Sequence, residues 1–336
     1  MMDTEVSEGL KPGRNAASTS KQILQILLSG RQGIVLLLLL AGLWIVAARL
    51  SPNFLTSRTQ WELSTHLWEM ALLTLPMTLI ILTAGIDLSV GSTMALCTVV
   101  FGLASNAEMP LILSVLLTLG VGAIAGAING VFISRAKAHP LIITLATLAA
   151  YRGIAEGISL GKPFSHFPAG FSSFGQGSVI GIPIPGLIFA AALVFVAVFV
   201  RLTPLGLSLS AIGYNETAAR YSGLAVSRIK MALYTSSGLT AALAALLFVA
   251  RRNTAKADLG TGMELDVITA VVLGGTSIFG GRGSLWGTVL GVLLIHEMRE
   301  FVSWQFSRDE LNLIVTGVLL LLSVLADTLL SPKKVE

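Results

Sequence analysis

The chain has 336 residues, of which 22 are basic and 18 acidic, so that only 12% are charged and 54% are hydrophobic. A soluble domain carries about 25% charged residues. This composition excludes an ordinary soluble enzyme and a disordered chain, and it predicts a protein that lies mostly in lipid. One cysteine excludes a disulfide framework. A net charge of +4 without a long basic block disfavours nucleic-acid binding.

Apolar segments recur along the whole chain at lengths near the roughly 20 residues that a transmembrane helix needs. We count ten of them, which predicts an all-α polytopic membrane protein with about ten transmembrane helices. The two segments after residue 266 are short and glycine-rich, so a re-entrant segment is an alternative there. The ten segments are 33–48, 70–86, 88–107, 109–134, 138–160, 186–200, 231–250, 267–281, 283–295 and 311–326.

The remaining residues form predicted tails and loops. Residues 1–30 are polar and lack the pattern of a cleaved signal peptide, so we expect a cytoplasmic tail with a short helix over 21–28. We expect residues 31–330 to form a single transmembrane domain and residues 331–336 a second cytoplasmic tail. An even number of spans places both termini on one side. More than half of the basic residues fall on that side, which indicates that it is the cytoplasm.

Several of the 34 glycines recur at four-residue spacing. Small residues one turn apart let helix backbones approach closely in lipid, so helix packing is the favoured interpretation and the lining of a narrow pore is the alternative. The two glycine ladders are Gly122, Gly126 and Gly130, and Gly283, Gly287 and Gly291.

Two similar segments suggest an internal repeat. The segment from Gly85 to Val90 (GIDLSV) resembles the segment from Gly262 to Val267 (GMELDV). They lie an odd number of spans apart, which predicts inverted repeats, as in many transporters. The second glycine ladder begins fewer residues after Gly262 than the first ladder does after Gly85. Either the second half of the chain is shortened, or the similarity of the two segments is partly chance.

Asp87 lies between two apolar segments, where an acid is unexpected. A carboxylate at the centre of a membrane costs roughly 2.5–3.5 kcal/mol, so it needs a partner, a loop or a water-filled cavity. A helical run follows Asp87, and a carboxylate there can accept hydrogen bonds from first-turn N–H groups. Helix capping is the favoured interpretation, and a role in substrate passage or gating is the alternative.

Other polar residues lie within the predicted spans. Arg152 and Glu156 are four residues apart, so they share one helix face; an ion pair between them is the favoured interpretation, and a position near the outer mouth of the path is the alternative. Uncharged polar residues either face a path for a hydroxylated solute or form interhelical hydrogen bonds, of which the second is more common. The residues predicted to line or gate the path are Asp87, Ser89, Asn129, Thr144, Thr147 and Asn312.

The longest polar insertion between spans is predicted over 203–230. Within it, Asn215 is a plausible N-cap and Gly223 a terminator of a short helix. Such a helix has no core of its own, so it must dock on another surface, either its own transmembrane domain or a partner.

Chemical motifs are scarce. The segment from Gly157 to Pro163 resembles a phosphate-binding loop but has one residue too few between its glycines and proline where serine or threonine is needed, so ATP hydrolysis by this chain is not predicted. The four histidines are scattered and predict no metal site. No catalytic constellation is recognisable.

Seven segments together resemble the permease subunit of bacterial ATP-driven (ABC) monosaccharide importers, the ribose/xylose/arabinose permease family. The similarity covers roughly 30–330. Its carriers are AGIDLSVGS at 84–92, GAING at 126–130, PLIITLATL at 140–148, GYNETAARYSG at 213–223, GTGMELD at 260–266, AVVLGGTS at 270–277 and GGRGSLWGT at 280–288.

This resemblance implies a type II ABC importer fold with ten helices per subunit in the bacterial inner membrane. It implies a second permease subunit, identical or paralogous, a periplasmic sugar-binding protein and two cytoplasmic ATPase subunits, which bind ATP and Mg. It also implies a coupling helix that docks on the ATPase, formed by Asn215, Glu216, Thr217, Ala218, Ala219, Arg220, Tyr221, Ser222 and Gly223. The sequence departs from the family at 296–304, which suggests a subgroup with an unusual ligand, such as a deoxy sugar (rhamnose, for example) or an autoinducer furanose.

The predicted function is import of a monosaccharide by alternating access, with no cofactor in this chain. A branched-chain amino acid ABC permease is the nearest alternative, because that family shares the fold. A proton-coupled secondary transporter needs acids deep in the membrane, and only Asp87 qualifies. An intramembrane enzyme lacks its catalytic residues.

Overall fold

The computed structural model describes residues 15–136, 138–306 and 310–330 and is almost entirely helical. The described residues form fourteen α-helices, one 3₁₀ turn (Pro52–Leu55) and four two-residue strands. The helices are α1 (Asn15–Leu50), α2 (Ser57–Ser64), α3 (Leu67–Leu82), α4 (Val90–Asn106), α5 (Leu111–Ser134), α6 (Pro140–Ser159), α7 (Ala169–Gln176), α8 (Ile184–Leu202), α9 (Pro204–Tyr214), α10 (Glu216–Tyr221), α11 (Val226–Arg252), α12 (Met263–Leu273), α13 (Leu285–Phe306) and α14 (Glu310–Leu330). The strands are β1 (Phe164–Ser165), β2 (Ser178–Val179), β3 (Ile182–Pro183) and β4 (Thr254–Ala255), with β1 antiparallel to β4 and β2 antiparallel to β3.

Each of the ten predicted apolar segments contains one helix, which confirms an all-α polytopic membrane protein. Within the described residues, five helices are long and apolar enough to cross a membrane alone, namely α1, α5, α6, α8 and α11. The pair α2 and α3, bent by 51°, forms a sixth candidate span. Helices α4 and α14 carry shorter apolar stretches, and α12 has only 11 residues.

The first helix is longer than the sequence predicts. Helix α1 continues without a break from Asn15 to Leu50, so the helix expected over 21–28 is part of it. The described residues do not include two parts of the predicted tails, namely residues 1–14 of the first tail and all of the second tail, 331–336.

The core is built around α11, which packs on α3, α4, α5 and α7. Helices α3 and α4 are apolar on all sides and almost wholly buried, as expected for central helices of a membrane bundle. Helices α5, α6 and α8 instead leave large apolar side chains exposed on one face. That exposed apolar surface suits contact with lipid or with another membrane subunit.

Contacts between distant residues define two ends of the bundle. At the first, which we call the sheet end, β1 pairs with β4 and Arg251 binds Glu69. At the opposite end, which we call the α10 end, α10 lies beside the last turn of α5 and the first turn of α11.

Two irregular segments enter the bundle from these opposite ends. Residues 83–89 connect α3 to α4, and residues 256–262 connect β4 to α12. The second segment follows α4, because Thr98 Oγ1 donates to Lys256 O and Gly91 contacts Gly260. A Cβ on Gly91 would lie 2.3 Å from Gly260 O, so only glycine permits this approach.

Candidate functional site

Helix α10 is a short helix of six residues at the α10 end of the bundle, and a side chain caps its N-terminus. Asn215 is its N-cap, with Oδ1 accepting a hydrogen bond from Ala218 N at 2.9 Å. Gly223 follows the helix with φ +86°, a conformation that favours glycine. The predicted cap and terminator are therefore confirmed.

One face of α10 docks on its own chain. Ala219 is buried against Ile212 of α9 and Val226 of α11. Glu216 binds Arg220 at 2.7 Å and Lys230 Nζ at 2.5 Å. Because the Lys230 side chain is only 7% exposed, this ion pair fixes α10 to α11 more firmly than a surface pair would.

The charge state of Glu216 follows from these contacts. Partial burial raises the pKa of its carboxyl, but hydrogen bonds and charges from Lys230 and Arg220 together lower that pKa below its usual value. Glu216 is therefore an anion at neutral pH, and its charge is matched by two cations.

The opposite face of α10 is open. Thr217, Ala218 and Tyr221 are exposed, and Tyr221 reaches 89% exposure. Beside them lies a groove of about 650 Å³ between α10 and the start of α6. The groove is lined by Ile133, Ala138, His139, Pro140, Glu216, Thr217, Arg220, Tyr221 and Lys230. A protruding aromatic residue beside a groove suits a protein contact.

Four of the predicted path residues meet inside the bundle. Asp87 is buried, and its Oδ1 accepts hydrogen bonds from Ser89 N at 3.0 Å and Ser89 Oγ at 2.7 Å. Asn129 Nδ2 donates to Ser89 Oγ at 2.8 Å, while Asn129 Oδ1 has no hydrogen-bond partner among the described residues. Thr144 Oγ1 donates to Ile86 O at 3.3 Å. We call Asp87, Ser89, Asn129 and Thr144 the polar cluster.

The predicted capping role of Asp87 takes a different form from the one expected. Its carboxylate binds the N–H of Ser89, the residue just before α4, rather than an N–H inside the first turn. Its second oxygen, Oδ2, accepts from Ser237 Oγ of α11 at 2.7 Å. Asp87 thus joins the irregular segment 83–89 to α11.

The other two predicted path residues lie apart from Asp87. Thr147, one turn beyond Thr144, is half-buried and returns its hydroxyl to the backbone of α6. Asn312 on α14 donates to Ser303 Oγ of α13 at 2.8 Å, near the sheet end.

The expected ion pair between Arg152 and Glu156 is wrong. Arg152 NH1 instead donates to the carbonyls of Ala257 and Leu259, the latter at 2.7 Å, and the described residues contain no Arg152–Glu156 ion pair. A four-residue spacing permits a pair, but the carbonyls of segment 256–262 lie within reach and accept the guanidinium hydrogens. Arg152 thereby ties this segment to α6.

Both glycine ladders lie against neighbouring backbones. A Cβ on Gly122 or Gly126 would lie 2.4 Å from Gly238 O or 2.2 Å from Tyr234 O, respectively, and Gly130 is close to Met231. These contacts bring α5 onto α11. In the second ladder, Gly283 lies against Thr276, Gly287 against Gly274 and Gly291 against Ala270. The second ladder brings α13 onto α12 and the turn after it.

Sequence reasoning missed Tyr234 and Ser237, which share a face of α11 with Lys230. Tyr234 OH donates to Ile86 O at 3.3 Å, beside the Ser237–Asp87 bond. The sequence does contain a pattern that indicates them, because polar groups at positions i, i+4 and i+7 of an otherwise apolar helix share one face. Among the described residues, no group of three or more His, Cys, Asp or Glu is placed to hold a metal ion.

Comparison with known proteins agrees with this architecture. Residues 63–324 match the family model described as branched-chain amino acid transport system / permease component. The ribose import permease protein of Haemophilus influenzae is 34% identical over 317 residues, covering 93% of this chain and 97% of that protein. The ribose import permease protein of Escherichia coli K12 is 37% identical over 300 residues, covering 88% of this chain and 92% of the relative.

A third relative carries a different name. The autoinducer 2 import system permease protein of Yersinia enterocolitica is 37% identical over 256 residues, covering 74% of this chain and 77% of that protein. No solved structure gives a significant match. The family model and these relatives each span most of the chain, and the chain therefore belongs to this family of membrane transport permeases.

Proposed function

We propose that this chain is the permease subunit of an ATP-driven importer that moves a monosaccharide or a similar furanose across the bacterial inner membrane. The observation that carries the proposal is the similarity to ribose and autoinducer 2 import permeases over most of the chain. The family description names amino acids, but the relatives that match along most of this chain import ribose or autoinducer 2 by name, which favours a sugar over leucine.

The open face of α10 is the proposed docking surface for a cytoplasmic ATPase subunit, which binds ATP and Mg. Its support is geometric. Ala219 and Glu216 fix the helix to its own chain, while Thr217, Ala218 and Tyr221 remain exposed beside a groove. In this assignment the α10 end faces the cytoplasm, and the sheet end faces a periplasmic sugar-binding protein.

The polar cluster is the proposed gate region of the path. Its residues are buried in the single chain, so they line no open channel in this conformation. Alternating access would open the path by moving the irregular segments 83–89 and 256–262, the second of which lies against the first turn of α4 where Gly260 contacts Gly91. A second permease subunit, identical or paralogous, would complete the path against the exposed apolar faces.

Docking at α10 is tested in a complex reconstituted with its ATPase and binding protein in liposomes. Ala218→Trp places a bulky ring on the exposed face of α10 and is expected to abolish binding of the ATPase and ATP-driven uptake. Ala41→Trp, at an exposed position of α1, is the matched control and should retain both. Equal uptake by the two variants would contradict docking at α10.

A further inference from the structure

One face of α11 carries side chains that reach both α10 and the segment before α4. Lys230, Tyr234 and Ser237 occupy positions i, i+4 and i+7, so they lie on one face of the helix. All three are buried. Each is bonded to a group on another part of the chain: Lys230 to Glu216, Tyr234 to Ile86 O and Ser237 to Asp87.

The contacts at the α10 end hold α10 and the start of α11 together as one unit. Besides the Glu216–Lys230 pair at 2.5 Å, Arg220 NH1 donates to Ser227 Oγ at 3.2 Å. Ala219 packs on Val226. Three separate contacts, polar and apolar, leave α10 little freedom to move without α11.

The helix between the two sets of contacts is stiff. Residues 230–237 contain neither glycine nor proline, and they span about 10 Å at 1.5 Å per residue. Behind this stretch, Gly126 and Gly130 of α5 press directly on the α11 backbone. A displacement at Lys230 is therefore carried to Ser237 rather than absorbed in between.

The segment that receives the displacement is irregular. Helix α3 ends at Leu82, Ala84 has a left-handed φ of +57°, and α4 begins at Val90. Its position is set by side chains from neighbouring helices, of which Tyr234 and Ser237 on α11 are two. With these bonds broken, hydrogen bonds from Asn129 of α5 and Thr144 of α6 still hold the segment, and Ala84 still lies against Gly280.

We propose that Lys230, Tyr234 and Ser237 form a transmission face that carries the movement of α10 to Asp87 and the segment 83–89. This inference rests on the proposed function, since it assumes that a partner moves α10. The three are positioning residues: they contact neither nucleotide nor, in this assignment, the transported solute. The proposal predicts that loss of the Lys230–Glu216 contact or of the Ser237–Asp87 contact uncouples ATP hydrolysis from transport.

The test is a double-mutant cycle with Lys230→Met and Ser237→Ala in the reconstituted complex, since spatial proximity alone does not demonstrate coupling. The readout is the amount of solute imported per ATP hydrolysed. We expect each variant to lower this ratio at least fivefold, in the usual range of allosteric coupling, and the double variant to be no worse than the single ones. Ser236→Ala is the matched control, because among the described residues the Ser236 hydroxyl donates only to Leu233 O in its own helix.

Additive losses in the cycle, or a normal ratio in both single variants, would overturn the transmission face. If Ser237→Ala fails to assemble, Tyr234→Phe removes only the hydroxyl on Ile86 O and should lower the same ratio. A wild-type complex without ATP-driven uptake of any monosaccharide or of autoinducer 2 would instead contradict the proposed function. Wild-type uptake that Ala218→Trp abolishes, with a normal ratio in Lys230→Met and Ser237→Ala, would contradict the transmission face alone.

Discussion

Replacement of Gly126 by alanine tests how closely α5 and α11 must approach. The added Cβ would lie 2.2 Å from Tyr234 O, which belongs to a helix backbone and cannot rotate away. Ordinary contact begins at 3.4 Å, so the helices must separate locally by about 1.2 Å, the difference between 3.4 and 2.2. Forcing one extra carbon into a packed interior costs about 1–3 kcal/mol.

A matched control exists on the same helix. A Cβ on Gly120 meets nothing within 4 Å, so Gly120→Ala gains only helix propensity, about 0.5–1 kcal/mol in favour of the folded state. The two substitutions are chemically identical and should shift stability in opposite directions. Separation of α5 from α11 would also displace Asn129, which lies one turn beyond Gly126. Asn129 Nδ2 donates to Ser89 Oγ at 2.8 Å, so this hydrogen bond would be strained as well.

The assay is thermal unfolding of the detergent-solubilised permease, followed by the loss of its monodisperse chromatographic peak. One kcal/mol corresponds to about 2–4 °C for a domain of 150–250 residues. We expect Gly126→Ala to lower the midpoint by several degrees and Gly120→Ala to leave it unchanged or raise it. Equal midpoints for the two variants would refute the close approach of α5 and α11.

Two further predictions concern charged groups. Because the pKa of Glu216 is lowered in the folded protein, its stabilisation of α10 is present above the usual carboxyl pKa and is lost as the pH falls through the lowered value. The protection factors of the α10 amides, which are corrected for the intrinsic exchange rate at each pH, should therefore fall on acidification in the wild type and be low and less pH-dependent in Glu216→Gln; identical pH profiles would contradict this. In the wild type Arg251, whose side chain is 10% exposed, donates to Glu69 Oε1 at 2.9 and 3.0 Å. Glu69→Leu leaves this largely buried cation unpaired and should cost about 3–5 kcal/mol, whereas the double variant Glu69→Leu/Arg251→Leu should recover most of that loss; additive losses in thermal unfolding would count against the pair.

The sequence predicts the helices well because charge is excluded from lipid. Runs without charge mark the ten apolar segments, and each contains a helix in the structure. The ends of α10 are also predictable, since Asn215 and Gly223 act locally through capping and a left-handed conformation.

Long-range partners are not predictable in this way. Ser237 binds Asp87 across 150 positions of sequence, and no local rule brings the two together. For Arg152, the local rule predicts the wrong partner. Its spacing from Glu156 predicts an ion pair, but Arg152 donates to backbone carbonyls of a distant segment instead. Helical periodicity indicates that two residues share a face, whereas tertiary packing decides what that face contacts.

Uptake by the reconstituted complex tests the central claim most directly. Liposomes that hold the permease, its ATPase and its binding protein are loaded with ATP and given labelled ribose, other monosaccharides, autoinducer 2 or leucine outside, with the proton gradient collapsed. The proposed function predicts uptake of one of the sugars or of autoinducer 2 that requires internal ATP and is not competed by leucine. Leucine uptake without sugar uptake, or uptake that requires the proton gradient and not ATP, would contradict it.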